Sequence, residues 1–189
     1  MWVILVTNLL SIDLEDYFCD LPFSEWEKYE SRVSDTTNFI LELLKKYNVN
    51  ATFFTLGYIA EKFPELIENI VAEGHEIASH GYYHKDVRKI SSEEFQEDFL
   101  KSIKILESVS HEKIYGFRAP FFSIDKNNLD VFDFLRKHLK YDSSIFPVRT
   151  PLYGIPKAPR HIYKMSKNDP LKSNPNSDFI EIPAATLDI

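Results

Sequence analysis

Residues 51–84 read ATFFTLGYIAEKFPELIENIVAEGHEIASHGYYH, and their periodicity decides the fold class. Ala51-Thr52-Phe53-Phe54-Thr55 is rich in β-branched and aromatic side chains, as suits a buried strand. Ile59, Phe63, Leu66, Ile67, Ile70 and Val71 then recur at helical spacing over 59–71, and Gly74 stands where a left-handed C-terminal cap is expected. Residues 76–79 return to a short strand. Strand, amphipathic helix and strand in that order form a βαβ unit, which lays the two strands parallel.

The alternation extends in both directions. Upstream, the apolar residues 3–12 read as a first strand, and Phe39, Ile40, Leu43 and Leu44 mark a helix over 35–47. Downstream, Ser91-Ser92-Glu93-Glu94 has the capping-box pattern and opens a helix with Phe95, Phe99, Ile103 and Leu106 down one side. A strand at 115–119, a helix near 129–139 and a strand at 141–144 follow. Residues 147–175 hold six of the ten prolines and read as a long irregular excursion, before a strand at 179–183. Such alternation means an α/β architecture with a parallel sheet, either doubly wound or closed into a barrel. In both, the chemistry collects at the C-terminal ends of the strands.

Composition narrows the function classes. The 189 residues leave room for one domain, spanning 1–189. A net charge of −7 with no Lys/Arg-rich block argues against a nucleic-acid or anionic-membrane surface. Fifteen Phe, ten Tyr and two Trp supply ample material for a packed core. The apolar stretch 2–10 lacks a basic flank and is far short of the roughly 18 to 20 residues of a membrane span, so a cytoplasmic protein without a membrane partner is expected. The single Cys19 can form neither an intramolecular disulfide nor a thiolate metal site. Any metal therefore falls to His and carboxylate ligands.

Four segments aim ionisable groups at one rim: Asp13-Leu14-Glu15-Asp16, His80 through His84, Arg118 and Asp142. His80 and His84, four residues apart, can converge on one ion if the backbone turns helically, although such pairs also occur as ordinary core or surface histidines. Two His with one carboxylate and open positions form the ligand set of a catalytic zinc or similar ion. The acidic cluster offers one carboxylate to bind the ion and another, unbound, to accept a proton; its plainer reading is acids at a helix N-terminus. Arg118 lies in an otherwise apolar strand, and a buried guanidinium requires a carboxylate partner, for which Asp13 is the natural candidate.

Five segments in order, Ser11-Ile12-Asp13-Leu14-Glu15-Asp16-Tyr17-Phe18, Ala51-Thr52-Phe53-Phe54, Gly74 through His84, Phe117-Arg118-Ala119-Pro120, and Tyr141-Asp142-Ser143-Ser144-Ile145-Phe146-Pro147, carry a family pattern. They resemble the polysaccharide deacetylases of the NodB-homology superfamily, carbohydrate esterase family four. The likeness is to the allantoinase-like and peptidoglycan-deacetylase-like branch, and within it to deacetylases encoded with exopolysaccharide synthesis genes. The resemblance implies a distorted (β/α) barrel, a divalent metal with zinc first, and hydrolysis of the acetyl group from an N-acetylated saccharide. Position by position it implies Asp13 as general base, Arg118 as the arginine that holds the base, and His80 and His84 as the metal-binding pair. It implies a metal carboxylate two residues after the base, at Glu15, with the adjacent Asp16 kept as the second candidate. The family's general-acid His, from a late strand, has no counterpart in these segments. A full eight-unit barrel takes about 250 residues, and this sequence supplies six strands, so the expected fold is a barrel lacking its last βα units. Two alternatives stand beside the deacetylase: a degenerate member that binds saccharide without turnover, and an allantoinase-like amide hydrolase.

Overall fold

The computed structural model describes residues 8–186. Strands β1 (Ser11–Leu14), β2 (Thr52–Thr55), β3 (Glu76–Ser79), β4 (Gly116–Phe117), β5 (Tyr141–Asp142), β6 (Tyr163–Lys164) and β7 (Ile180–Glu181) form one sheet. Helices α1 (Val33–Tyr47), α2 (Gly57–Lys62), α3 (Pro64–Ala72), α4 (Ser92–Ser110) and α5 (Val131–His138) connect its first five strands. The spatial order is β1-β2-β3-β4-β5-β7-β6, with every neighbouring pair parallel except β6 against β7. A doubly wound sheet reverses its strand order at a switch point; here strands one to five are added in one direction without reversal. That winding is the barrel type, and among the described residues the sheet stays open between β1 and β6.

Helices α2, α3 and α4 pack on the sheet largely through the residues that the periodicity selected, whereas α1 buries Val33, Thr37, Leu41 and Leu44 and leaves the expected Phe39 and Leu43 exposed. Ile59, Ile67, Ile70, Phe99 and Leu106 are buried against Phe53 and Ile77, and full burial of a side chain of that size contributes about 1.5–3 kcal/mol. Ser91 and Glu94 make the expected capping box at the start of α4. Gly74, at φ +85°, supplies the left-handed residue after α3.

Several boundaries differ from the sequence expectation. The single helix expected over 59–71 is two, α2 and α3, because Pro64 starts a new helix and leaves Phe63 outside the helical region at φ −131°, ψ 62°. The first strand occupies Ser11–Leu14, so Asp13 lies within it rather than after it; residues 3–7 of the expected strand lie outside the described residues. The proline-rich excursion contains β6, and its Met165 bridges back to Ser173.

Asp142 and Glu181 sit opposite each other on β5 and β7, both completely buried. Asp142 accepts hydrogen bonds from the Ser144 N–H at 2.7 Å and the Ser144 hydroxyl at 2.8 Å, and Glu181 Oε1 accepts from the Ile145 N–H at 3.1 Å. Burial raises both carboxyls, Asp142 to about 6 and Glu181 well above its usual value, the Asp142 charge adding to the latter. The folded pair therefore keeps a proton that the unfolded chain releases near pH 4. Because the folded values lie above the unfolded ones, the stability this proton supplies is fully present below about pH 4 and is lost as pH rises through 6 and beyond. Urea melts between pH 4 and 8 will accordingly show a flatter pH dependence for Glu181→Gln than for the parent; identical slopes would refute the shared proton.

Candidate active site

The site begins with alternation along the first strand. Side chains two apart on a strand share a face, and Ser11 and Asp13 both turn to Arg118, which follows β4. The guanidinium donates from Nη1 to Asp13 Oδ1 at 2.7 Å, from Nη2 to the Ser11 and Ser143 hydroxyls at 2.9 Å each, and from Nε to the Ser143 carbonyl at 3.1 Å. Its carbon lies 4.1 Å from the centre of the Phe54 ring. Phe122 lies on it too, at 5.4 Å, so the buried cation is held on four polar contacts and two aromatic rings. It engages a single oxygen of Asp13, whose side chain is 28% exposed.

The same alternation carries Glu15 toward the loop that follows β3. His80 is anchored there by its own N–H on the Thr55 carbonyl at 2.9 Å. Both imidazoles spend Nδ1 on backbone carbonyls: His80 on that of Arg118 at 2.7 Å, His84 on that of Cys19 at 3.1 Å. Such bonds fix the tautomer of a metal-binding histidine and leave Nε2 as the ligand atom. Glu15, His80 and His84 each bring a ligand atom within 4.8 Å of the others.

The donor set fits a divalent ion. Glu15 Oε2 is buried with no hydrogen bond to satisfy it, yet lies 2.7 Å from His84 Nε2. With Nδ1–H given to Cys19, a neutral His84 faces that oxygen with a lone pair, and only a shared cation relieves the contact. A proton can serve: burial disfavours charge on His84, but Glu15 and then Asp20 outweigh it and lift the imidazole above its ordinary value. A metal ion would serve the same two lone pairs, with His80 near enough to be a third ligand. Complete burial keeps His80 neutral, its pKa lowered.

Asp16 is the sequence candidate that the structure places elsewhere. Its carboxylate accepts from the Ser31 hydroxyl and from the Arg32 N–H at 3.1 Å, closing the entry to α1. Adjacent residues on an extended chain point to opposite faces, so Glu15, two after Asp13, reaches the histidines and Asp16 cannot. Cys19 contributes its carbonyl; burial pushes its thiol up to about 12. Of the remaining histidines, His75 accepts the Ala51 N–H at 3.3 Å, His111 is the left-handed cap of α4, and His138 ends α5 against Phe134. His161 lines a cavity of about 770 Å³ together with Asn50 and Gly74; Ser11, Arg118 and Ser143 line it as well, but Glu15, His80 and His84 do not.

Three groups escaped the sequence reading. Ser11 and Ser143 gave no signal, because a serine at a strand end is unremarkable until the arginine between them is placed. Asp98 did give one. It lies three residues after Phe95 and is the one charged residue on the buried face of α4, where an acid needs partners.

A singly wound parallel sheet with a carboxylate and histidine cluster past its strand ends is an α/β arrangement of the barrel type with a candidate metal centre. The chain belongs to the polysaccharide deacetylase family, whose model matches residues 24–136, more than half of it. It is 39% identical over 90 residues to the peptidoglycan-N-acetylglucosamine deacetylase of Bacillus cereus, covering 48% of this chain and 33% of that protein. It is 31% identical over 152 residues to the peptidoglycan deacetylase of Helicobacter pylori, covering 77% and 51%. A solved structure assigned as a polysaccharide deacetylase from Mycobacterium smegmatis superposes with a TM-score of 0.72 at 24% identity, over 94% of this chain and 58% of that one, and supports the fold. The chain thus spans between a third and about half of these curated relatives' lengths.

Proposed function

We propose that Asp13, Glu15, His80, His84 and Arg118 form a metal-dependent deacetylase centre that hydrolyses N-acetyl groups on a polysaccharide or oligosaccharide of the cell wall or an exopolysaccharide. The observation that carries this reading is the unsatisfied Glu15 Oε2 against His84 Nε2, beside a carboxylate that an arginine holds by one oxygen. Names of the relatives point to N-acetylated peptidoglycan sugars as the substrate class.

Glu15, His80 and His84 would hold the ion, zinc first. A divalent ion supplies Lewis-acid polarisation of the acetyl carbonyl and an acidified water. Arg118 holds Asp13 by Oδ1 and orients it, so Oδ2 is the oxygen left to take the proton of the attacking water. The carbonyls of Arg118 and Cys19 keep both imidazoles from turning. Protonation of the leaving amine has no second histidine to serve it among the described residues near the centre, and this favours one further reading, saccharide binding without turnover.

Acetate release separates the two. The protein with zinc releases acetate from N-acetylated oligosaccharides, and chelator or His80→Ala abolishes it; zinc binding without acetate would establish the second reading. Zinc also stabilises the fold, by about 4 kcal/mol when free ion is about 1,000 times its dissociation constant. Thermal melts with and without chelator test this, and coincident curves would remove the ion from the centre.

A further inference from the structure

The loop that bears both histidines is held from behind by one buried acid. Asp98, on α4, accepts the Tyr82 N–H on Oδ2 at 2.7 Å and the Tyr83 N–H on Oδ1 at 3.1 Å, and is 8% exposed. These are two of the three amides between His80 and His84. The third, of Gly81, donates to the Ser79 hydroxyl at 3.2 Å, and that hydroxyl lies 3.0 Å from Ser102 Oγ, again on α4. Every amide of the intervening turn is therefore anchored by a side chain, and the anchors lead to one helix.

Gly81 shows how closely the acid is fitted. Its φ is +77°, and a Cβ there would lie 2.9 Å from Asp98 Oδ2. Glycine is needed both for the left-handed turn and for the approach of the carboxylate. Neighbouring side chains brace the same turn: Lys101 lies 3.4 Å from the centre of the Tyr82 ring and donates to the Tyr83 hydroxyl at 3.1 Å, while Tyr82 donates to Glu61.

We propose that Asp98 is a positioning residue for the metal centre: by clamping the Tyr82 and Tyr83 amides it sets the separation and tilt of His80 and His84, and so determines metal affinity without touching ion or substrate. The inference rests on the metal-centre reading above. It predicts that the clamp holds in the metal-free protein as well as in the metal-bound one, and that its loss weakens binding about 10- to 100-fold, the usual cost of removing an outer support of a metal ligand. Asparagine is the discriminating substitution. It preserves size but turns an NH2 group toward one of the two N–H donors.

Zinc dissociation constants, measured by competition with a chromophoric chelator, test the proposal on the parent, Asp98→Asn, Asp98→Ala and the exposed control Glu97→Gln. The expected result is a 10- to 100-fold rise for both Asp98 variants and none for the control, with Tyr82 and Tyr83 amides protected from exchange in the metal-free parent and exposed in Asp98→Asn. A purely structural role would lower the melting temperature and leave the dissociation constant unchanged. A folded Asp98→Asn with the parental constant overturns the proposal while the metal centre stands. Should Asp98→Ala fail to fold, unprotected Tyr82 and Tyr83 amides in the parent would still overturn it. Absence of zinc binding by the parent overturns the metal-centre reading itself, and the proposal with it.

Discussion

Asp13→Asn is expected to lower acetate release at saturating zinc by about 10²- to 10⁴-fold, the usual contribution of a positioned general base. The substitution is nearly isosteric. Its carbonyl oxygen can still accept from Arg118 Nη1, as Asp13 Oδ1 does at 2.7 Å, so the arginine keeps its place. An NH2 group replaces the second oxygen and cannot accept a proton. Because Asp13 is not among the three residues that converge as candidate ligands, the zinc dissociation constant should change little while turnover collapses. Steady-state acetate assays beside zinc titrations measure the two separately. Activity within threefold of the parent would remove Asp13 from the role of base.

Arg118→Met should damage both activity and fold. Removing the guanidinium strands Asp13, two serine hydroxyls and a carbonyl that it now satisfies. Breaking a buried ion pair from one side costs about 3–5 kcal/mol; the partial exposure of Asp13 places this case near the lower figure. At about 2–4 °C per kcal/mol for a domain of this size, the melting temperature falls by about 6–12 °C. Arg118→Lys separates geometry from charge. An ammonium is a compact point charge and cannot reproduce the planar fork that reaches Asp13, Ser11 and Ser143 together, so Asp13 loses its orientation while the cation persists. A misplaced base costs about 10²-fold. A lysine variant with parental turnover would show that charge alone suffices.

Much of the architecture could be read from periodicity. The βαβ unit over 51–79, the capping box at Ser91 and the helix over 131–138 are written in side chains whose spacing belongs to one element. The break at Phe63 was equally visible in Pro64, but six apolar residues at helical spacing masked it. The choice between Glu15 and Asp16 also lay in the sequence, since a strand that turns Asp13 inward turns Glu15 inward as well. By contrast, β6 could not be found from its own residues. A two-residue strand amid prolines exists because β7 offers it an edge.

The candidate site was legible where side chains do the work and illegible where backbone does. His80, His84, Asp13 and Arg118 carry their chemistry in their names. The carbonyls of Cys19 and Arg118 that orient the imidazoles belong to no residue type, so no pattern could announce them. Asp98 falls between these cases: a charged residue on the buried face of a helix signals a buried partner, but only the fold shows that the partners are the amides between the histidines.

The Arg118 to Asp13 contact joins positions 105 apart in the chain, and the His84 to Cys19 contact joins positions 65 apart. Closing loops of that length costs chain entropy that local contacts do not repay until late. Helices and neighbouring strands can therefore form during folding while Asp13, Glu15, the two histidines and Arg118 are still scattered over separate segments. Nascent or partly folded chains would hold the histidine loop without its carboxylates, and the proposed centre would be complete only once the first strand has docked.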